Sequence, residues 1–116
     1  MLKKSPLAPA EMPAMPPVRG VTIATMNSGI RYKGRDDILL MAFDAGTAMA
    51  GVVTKSKTRS APVEHCVDAL KAGGAARALV VNAGNANAFT GRAGDLAVAR
   101  TLEAASAAFD CGQMEV

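Results

Sequence analysis

Six apolar residues in unbroken succession, Ile38 to Phe43, constrain the fold of this chain more than any other feature. A run this short shows no helical periodicity and offers water no polar side, so with Asp37 it reads as a strand covered on both faces. A second run, Arg77 to Asn82 (RALVVN), reads the same way. Upstream, Val21 to Thr25 alternates as a strand does, and Asn27-Ser28-Gly29 supplies a turn. Ile30 to Gly34 is expected as a short strand with Tyr32 on one face. Asp44 to Gly46 turns the chain, and Ala48 to Thr54 is expected as a strand paired with the apolar run.

Helices interleave with these strands. Pro62 sits where a first helical turn begins, with Ser60 or Ala61 at the cap. Val63, Cys66, Val67 and Leu70 then form one apolar stripe, and Gly73-Gly74 ends the helix. A second helix is expected from about Asp95 to Phe109, burying Leu96, Ala99, Leu102, Ala105 and Phe109 and ending at Cys111-Gly112. Met114 to Val116 reads as the opening of a further strand. Alternating elements define an α/β chain, with layered helices and a mixed β-sheet. Met1 to Pro17, with prolines at 6, 9, 13, 16 and 17, reads as a flexible arm, which leaves residues 18–116 as the α/β portion.

Composition excludes several classes. Half of the 116 residues are hydrophobic, but only three are Phe, one is Tyr and none is Trp. Ala and Val bury little area each, so the chain is expected to pack against further structure. The net charge is +3. The one dense basic stretch, Lys55 to Arg59, holds no aromatic platform and reads as a solvated loop, so no nucleic-acid partner is expected. Two cysteines and one histidine, without CxxC or HxxxH spacing, leave no basis for a metal site or a disulfide framework. Cys66 is expected as a small buried residue, with neighbouring His65 on the solvated side. No run approaches the ~20 apolar residues a membrane span needs. Met1 to Lys4 imitates the start of a signal peptide, but the prolines that follow cannot form its apolar helix, so a cytoplasmic location is expected.

The most unusual segment is Asn82 to Gly91, NAGNANAFTG, which leaves one strand and enters a helix. Strand ends in α/β sheets gather ligand sites. An asparagine carboxamide both donates and accepts, so Asn82, Asn85 and Asn87 can hold a polar substrate or clamp a neighbouring loop. The competing reading, which physics alone favours, is that they bond backbone groups in a tight turn. Gly84 and Gly91 permit positive φ and close approach. No Walker A, dinucleotide or nucleophile-elbow motif is present.

Val80 to Gly91 resembles the signature VNSGNANACTG of the ornithine acetyltransferase/glutamate N-acetyltransferase family of arginine biosynthesis. It departs at Ala83, where Ser is common, and at Phe89, where Cys is common. Gly29 to Asp37 (GIRYKGRDD) resembles the family's GIKxxGRKDL, Ala50 to Thr54 its AGVFT, Ala61 to Val63 its AAPV, and Arg77-Ala78 its RA. Ser56 and Ser60 are further departures. Order and spacing agree from about Gly20 to Val116.

The resemblance implies an α/β portion of the family's alpha chain, an incomplete piece of a self-processing fold. In the family a precursor cuts itself ahead of a threonine, whose hydroxyl takes acetyl from N-acetylornithine and passes it to glutamate. It implies as partners the rest of the alpha chain and the beta chain of the same precursor, arranged as a heterotetramer. No cofactor is implied, though acetyl-CoA serves some members as a substrate. The nucleophile and a Ser-Thr-Gly segment of oxyanion donors correspond to positions beyond Val116, and neither Thr54 nor Thr90 matches them. No catalytic residue is therefore expected here, and the isolated chain is expected to be inactive. Asn82, Gly84, Asn85, Asn87, Thr90 and Gly91 are expected as a loop that supports the active site. The alternatives are a small non-catalytic domain that binds a protein or metabolite, and part of a related self-cleaving N-terminal-nucleophile amidase.

Overall fold

In a computed structural model, which describes residues 5–116, three strands and two helices follow the order βββ interrupted by a helix, then a closing helix. Strand β1 is Val21–Met26, β2 Ile38–Phe43 and β3 Ala78–Asn82; helix α1 is Ala61–Lys71 and α2 Arg92–Phe109. The signal-like start Met1 to Lys4, and with it the beginning of the proline-rich arm, lies outside the described residues. Residues 5–17 form neither helix nor strand. No helix among the described residues is long and apolar enough to cross a membrane.

The apolar run becomes the centre of the sheet. β2 pairs antiparallel with β1 on one side, Val21 opposite Phe43 and Met26 opposite Ile38, and with β3 on the other, Ile38 opposite Asn82 and Ala42 opposite Ala78. Both pairings are antiparallel, so no parallel pair of the expected mixed sheet falls within the described residues. With both edges of β2 taken, Ala48 to Thr54 cannot pair with it as expected. It makes one bridge, Ala48 to Ala75, and then runs extended beside α1, with Gly51 close to Leu70. The expectation that this segment pairs with β2 is corrected accordingly.

Ile30 to Gly34 is not a strand either. Gly29 and Gly34 both take positive φ, and the Ile30 N–H turns inward to the Asp37 carboxylate. That carboxylate organises the β1–β2 connection. Asp37 is only 3% exposed, and its two oxygens accept from the Ser28 N–H (2.6 Å), the Ser28 hydroxyl (2.8 Å) and the Ile30 N–H (2.8 Å). Its own N–H donates to Met26, and its carbonyl accepts from Ala83, just past β3. A buried carboxylate is tolerated where donors surround it in this way. The Ser28 amide above all, helped by the Ser28 hydroxyl and the Ile30 amide, holds its pKa below the ordinary value against the opposing push of burial.

Helix α1 starts from Ser60, whose carbonyl accepts from Val63 and Glu64, and carries its proline in the first turn as expected. Glu64 near its start and Lys71 near its end suit the helix dipole. The chain leaves it through Gly73 and Gly74, and a side chain on Gly74 would press within 2.7 Å of the Met49 carbonyl. Within α1 the buried residue is Ala69, whereas Cys66 is exposed and His65 half-buried. The expected roles are thus exchanged: Cys66 faces the incompletely covered groove beside Val52 and Leu70, and His65 turns to the Val116 carbonyl, 3.0 Å away.

Helix α2 begins at Arg92, about a turn earlier than the periodicity suggested, and buries Gly94 and Ala105. Of the residues expected inside, Ala105 is buried, Leu102 and Phe109 are only half-buried, and Leu96 (50% exposed) and Ala99 lie outside. After a left-handed Asp110, residues Gln113–Glu115 form a 3-10 turn rather than the opening of a strand. The Gly112 N–H donates to the Glu115 carboxylate, and the Glu115 carbonyl receives the Arg77 N–H.

Met26, Ile38, Leu40 and Val80 share one face of the sheet and border a groove with Thr101, Ala105 and Phe109 of α2. The opposite face carries Ile23, Met41 and Leu79 in one cross-strand row and Leu39 and Val81 in the next. Ile23, Leu79 and Val81 are 59%, 39% and 45% exposed. The hydrophobic residues that are buried are alanines: 69, 76, 78 and 105. Alanine burial stabilises little, so this portion is short of apolar contact.

Two outcomes follow from this packing. Residues 1–116 on their own should bind a hydrophobic dye and associate; a monodisperse monomer with a sharp cooperative melt and no dye binding would contradict the open sheet face. Because the folded-state pKa of Asp37 is depressed, its contribution is present above the unfolded value near 3.8 and is lost as pH falls through the folded value. Denaturant titrations between neutral and strongly acid pH should show a stability loss at the acid end that is smaller in Asp37→Asn, which is already less stable at neutral pH. Equal acid slopes in the two proteins would contradict this role.

Candidate functional site

The asparagine segment leaves β3 at Asn82 and reaches α2 at Arg92, folded over the end of the sheet. Its geometry divides the three asparagines. The Asn82 side chain donates to the Asn85 carbonyl at 2.8 Å, and the Asn85 side-chain oxygen accepts the Asn87 N–H at 3.2 Å. Each therefore commits one side-chain group to the loop itself, as the tight-turn reading expects. The Asn87 carboxamide makes no hydrogen bond among the described residues. Asn87 is half-buried, and its backbone is left-handed at φ 47°, as is that of Phe89 at φ 56°. Two non-glycine residues in this region within three positions mark a strained turn that its surroundings hold in place.

Two contacts supply those surroundings. Gly84, at φ 108°, lies against Arg31, and a Cβ there would come within 2.8 Å of the Arg31 Cβ. Arg31 follows directly on the turn pinned by Asp37, and Tyr32 beside it carries the Arg35 guanidinium over its ring, 3.9 Å from the centroid. At the other end, Gly94 in the first turn of α2 is buried beneath Thr90 and the Asn87 carbonyl. Glycine in a helix interior costs about 1 kcal/mol relative to alanine. Here that cost is offset by the close approach an alanine would block. Gly91 also takes positive φ, but a side chain there would meet nothing within 4 Å.

A cavity of about 200 Å³ opens beside the loop, lined by Thr58, Arg59, Asn87, Phe89, Thr90 and Asp95. A smaller one of about 110 Å³ lies on its other side, among His65, Leu79, Asn82, Asn87, Val98 and Val116. Asn87 borders both. Arg59 is fixed by its Nε bond to the Thr54 carbonyl (3.2 Å) and a long pairing with Glu64 (3.4 Å).

The structure thus brings Asn82, Asn85, Asn87, Thr90 and Gly91 into one loop, with Gly84 at its packed end. The Thr90 hydroxyl is turned onto Gly94, and Thr54 lies in the extended segment beside α1. Cys111 has its thiol pushed up, chiefly by burial and then by the Glu115 carboxylate, which makes it a poor nucleophile near neutral pH. Asp37, Arg31 and Gly94 escaped the sequence reading of the site. The available signals were an acidic residue abutting an apolar strand, and a glycine three residues after Gly91 where a helix begins.

An antiparallel three-stranded sheet packed with two helices, with a carboxamide loop at the strand–helix junction, defines a mixed α/β scaffold. The chain belongs to the ArgJ family, whose model matches residues 22–116. The "Arginine biosynthesis bifunctional protein ArgJ" of Bradyrhizobium diazoefficiens is 57% identical over 112 residues, and that of Mesorhizobium japonicum 59%. Each alignment covers 97% of this chain and 27% of the relative, so the chain spans about a quarter of the length of these curated relatives. Two solved structures share the fold. The ArgJ protein of Bacillus halodurans superposes with a TM-score of 0.75 at 26% identity, covering 84% of this chain and 51% of that one. An ornithine acetyltransferase from Mycobacterium tuberculosis, solved in complex with ornithine, superposes with a TM-score of 0.72 at 34% identity, covering 84% and 53%. The family is the one the asparagine motif resembles.

Packing at Gly84 can be checked directly. Gly84→Ala combines a positive-φ backbone with a clash against Arg31 and should cost more than about 2 kcal/mol, against about 1 kcal/mol for Gly46→Ala, whose φ is also positive but whose side chain would meet nothing within 4 Å. Chemical unfolding of both variants measures the difference; equal costs would contradict the close packing of the loop on Arg31.

Proposed function

We propose that this chain forms part of an enzyme of arginine biosynthesis that transfers an acetyl group from N-acetylornithine to glutamate through an acetyl-threonine intermediate. The observation that carries this reading is the family match along residues 22–116, with the signature loop folded at the strand–helix junction. In the proposed reaction a threonine hydroxyl adds to the acetyl carbon. The bond to the ornithine nitrogen breaks, and the hydroxyl proton passes to the departing amine. The glutamate amine then attacks the threonine ester, restoring the hydroxyl and releasing N-acetylglutamate. Such chemistry needs an activated nucleophile and preset donors for the tetrahedral oxyanion.

The nucleophile and those donors are assigned to the polypeptide beyond Val116, by the family resemblance. Supporting a precursor that splits in two, this chain fills about half of each solved neighbour's chain but about a quarter of each curated relative. The partners are then the rest of the alpha chain and the beta chain, in a cytoplasmic heterotetramer that uses no cofactor and takes acetyl-CoA at most as a second acetyl donor. The open face of the sheet and the groove beside Val52 are what such partners would cover. The asparagine loop holds the neighbouring oxyanion segment in place, and the small Ala86 and Ala88 let backbone pack closely against it.

The test compares the complete polypeptide with residues 1–116 alone. The complete polypeptide should transfer acetyl from N-acetylornithine to glutamate and the isolated chain should not, since loss of even one oxyanion donor costs about 10²–10³ in rate. Turnover by residues 1–116 at the rate of the complete protein would overturn the placement of the site. In the complete polypeptide, Asn85→Ala and Asn87→Ala should lower kcat with little change in KM and slow self-cleavage, because misplaced donors lose transition-state binding specifically. A large rise in KM at unchanged kcat and normal processing would instead make the asparagines substrate contacts.

A further inference from the structure

We propose that Gly94 is a positioning residue whose missing side chain lets Thr90 and the main chain of Asn87 settle onto the first turn of α2, and so aims the Asn87 carboxamide. The proposal rests on the reading of the loop as part of an acetyl-transfer site. Asn82 and Asn85 each commit a side-chain group to the loop itself, and Asn87 is the asparagine of the loop whose carboxamide makes no hydrogen bond among the described residues. It is half-buried and stands between the two cavities that flank the loop.

What keeps Asn87 left-handed lies beneath it. A methyl group on Gly94 would run into the Thr90 hydroxyl and come within 3.3 Å of both the Asn87 carbonyl and the Thr90 Cβ. A buried helical glycine usually serves the approach of another helix or strand. Here the three nearest atoms to the missing Cβ all belong to residues 87–90, so the space serves the loop. A carboxamide held by its backbone in this way offers donors or an acceptor to a polar group without reorganising first. Release of the turn would leave the same side chain present but misdirected, which costs rate rather than affinity.

The test uses the complete polypeptide, with N-acetylornithine and glutamate as substrates and amide exchange over residues 85–91 as a readout independent of activity. Gly94→Ala should lower kcat by about tenfold or more while KM moves less than about twofold, and should speed exchange at Asn87. Thr90→Ala removes the hydroxyl that the new methyl meets, so in a Thr90→Ala background Gly94→Ala should lower kcat and speed the Asn87 exchange by much less than it does in the parent. Unchanged kcat and exchange in Gly94→Ala would overturn the proposal, and so would an effect as large in the Thr90→Ala background as in the parent. Should Gly94→Ala fail to fold, the double variant is judged against Thr90→Ala alone: kcat within about twofold of that single variant supports the proposal, and a loss of about tenfold or more overturns it. If the parent polypeptide transfers no acetyl at all, the functional reading fails by itself, and the exchange at Asn87 still tests the role of Gly94.

Discussion

One buried carboxylate holds the ends of all three strands in register with the loop. The oxygens of Asp37 collect the Ser28 and Ile30 amides and the Ser28 hydroxyl, while its backbone bonds Met26 at the end of β1 and Ala83 beyond β3. The turn thus fixed delivers Arg31, and Gly84 packs against Arg31 without room for a side chain. The asparagine loop therefore takes its position at one end from a charge buried at the start of the sheet's central strand. An unpaired carboxylate in the same place would carry a desolvation cost with nothing to offset it.

At its other end the loop rests on α2, and the two supports differ in kind. Asp37 acts through charge-assisted hydrogen bonds, which are strong and directional. Gly94 acts through space left empty, at the cost of helix propensity. Between them the chain turns through two left-handed non-glycine residues, Asn87 and Phe89. Two of the three asparagines supply the internal bonds that make this turn self-consistent, and the third, half-buried, stands between the two flanking cavities. The tight-turn reading is thus realised on Asn82 and Asn85, and Asn87 is the asparagine left without a side-chain bond inside the loop.

Much of this was legible in the sequence because it depends on short-range chemistry. The apolar run at Ile38 to Phe43, the proline-started helix and its Gly73-Gly74 exit each carry local signals strong enough to survive in the structure. The misplaced segments were those whose fate depends on what is already paired. Ala48 to Thr54 has a strand's composition, but β1 and β3 occupy both edges of β2. Ile30 to Gly34 lost its strand to a carboxylate seven residues from Ile30. The exchanged roles of His65 and Cys66 turn on the Val116 carbonyl, 51 residues from His65, and no periodicity within the helix encodes that contact. For the site, the motif located the loop, but only the geometry separates Asn87 from Asn82 and Asn85.

The coupling from Asp37 through Arg31 to the loop is the central physical claim, and residue-resolved amide exchange in Asp37→Asn measures it most directly. Loss of the carboxylate should speed exchange at Ser28 and Ile30, where the bonds are broken, and also at Ala83 and Asn87, which the side chain does not touch. Faster exchange confined to residues 28–30, with Ala83 and Asn87 as slow as in the parent, would contradict the claim that this one buried charge seats the asparagine loop.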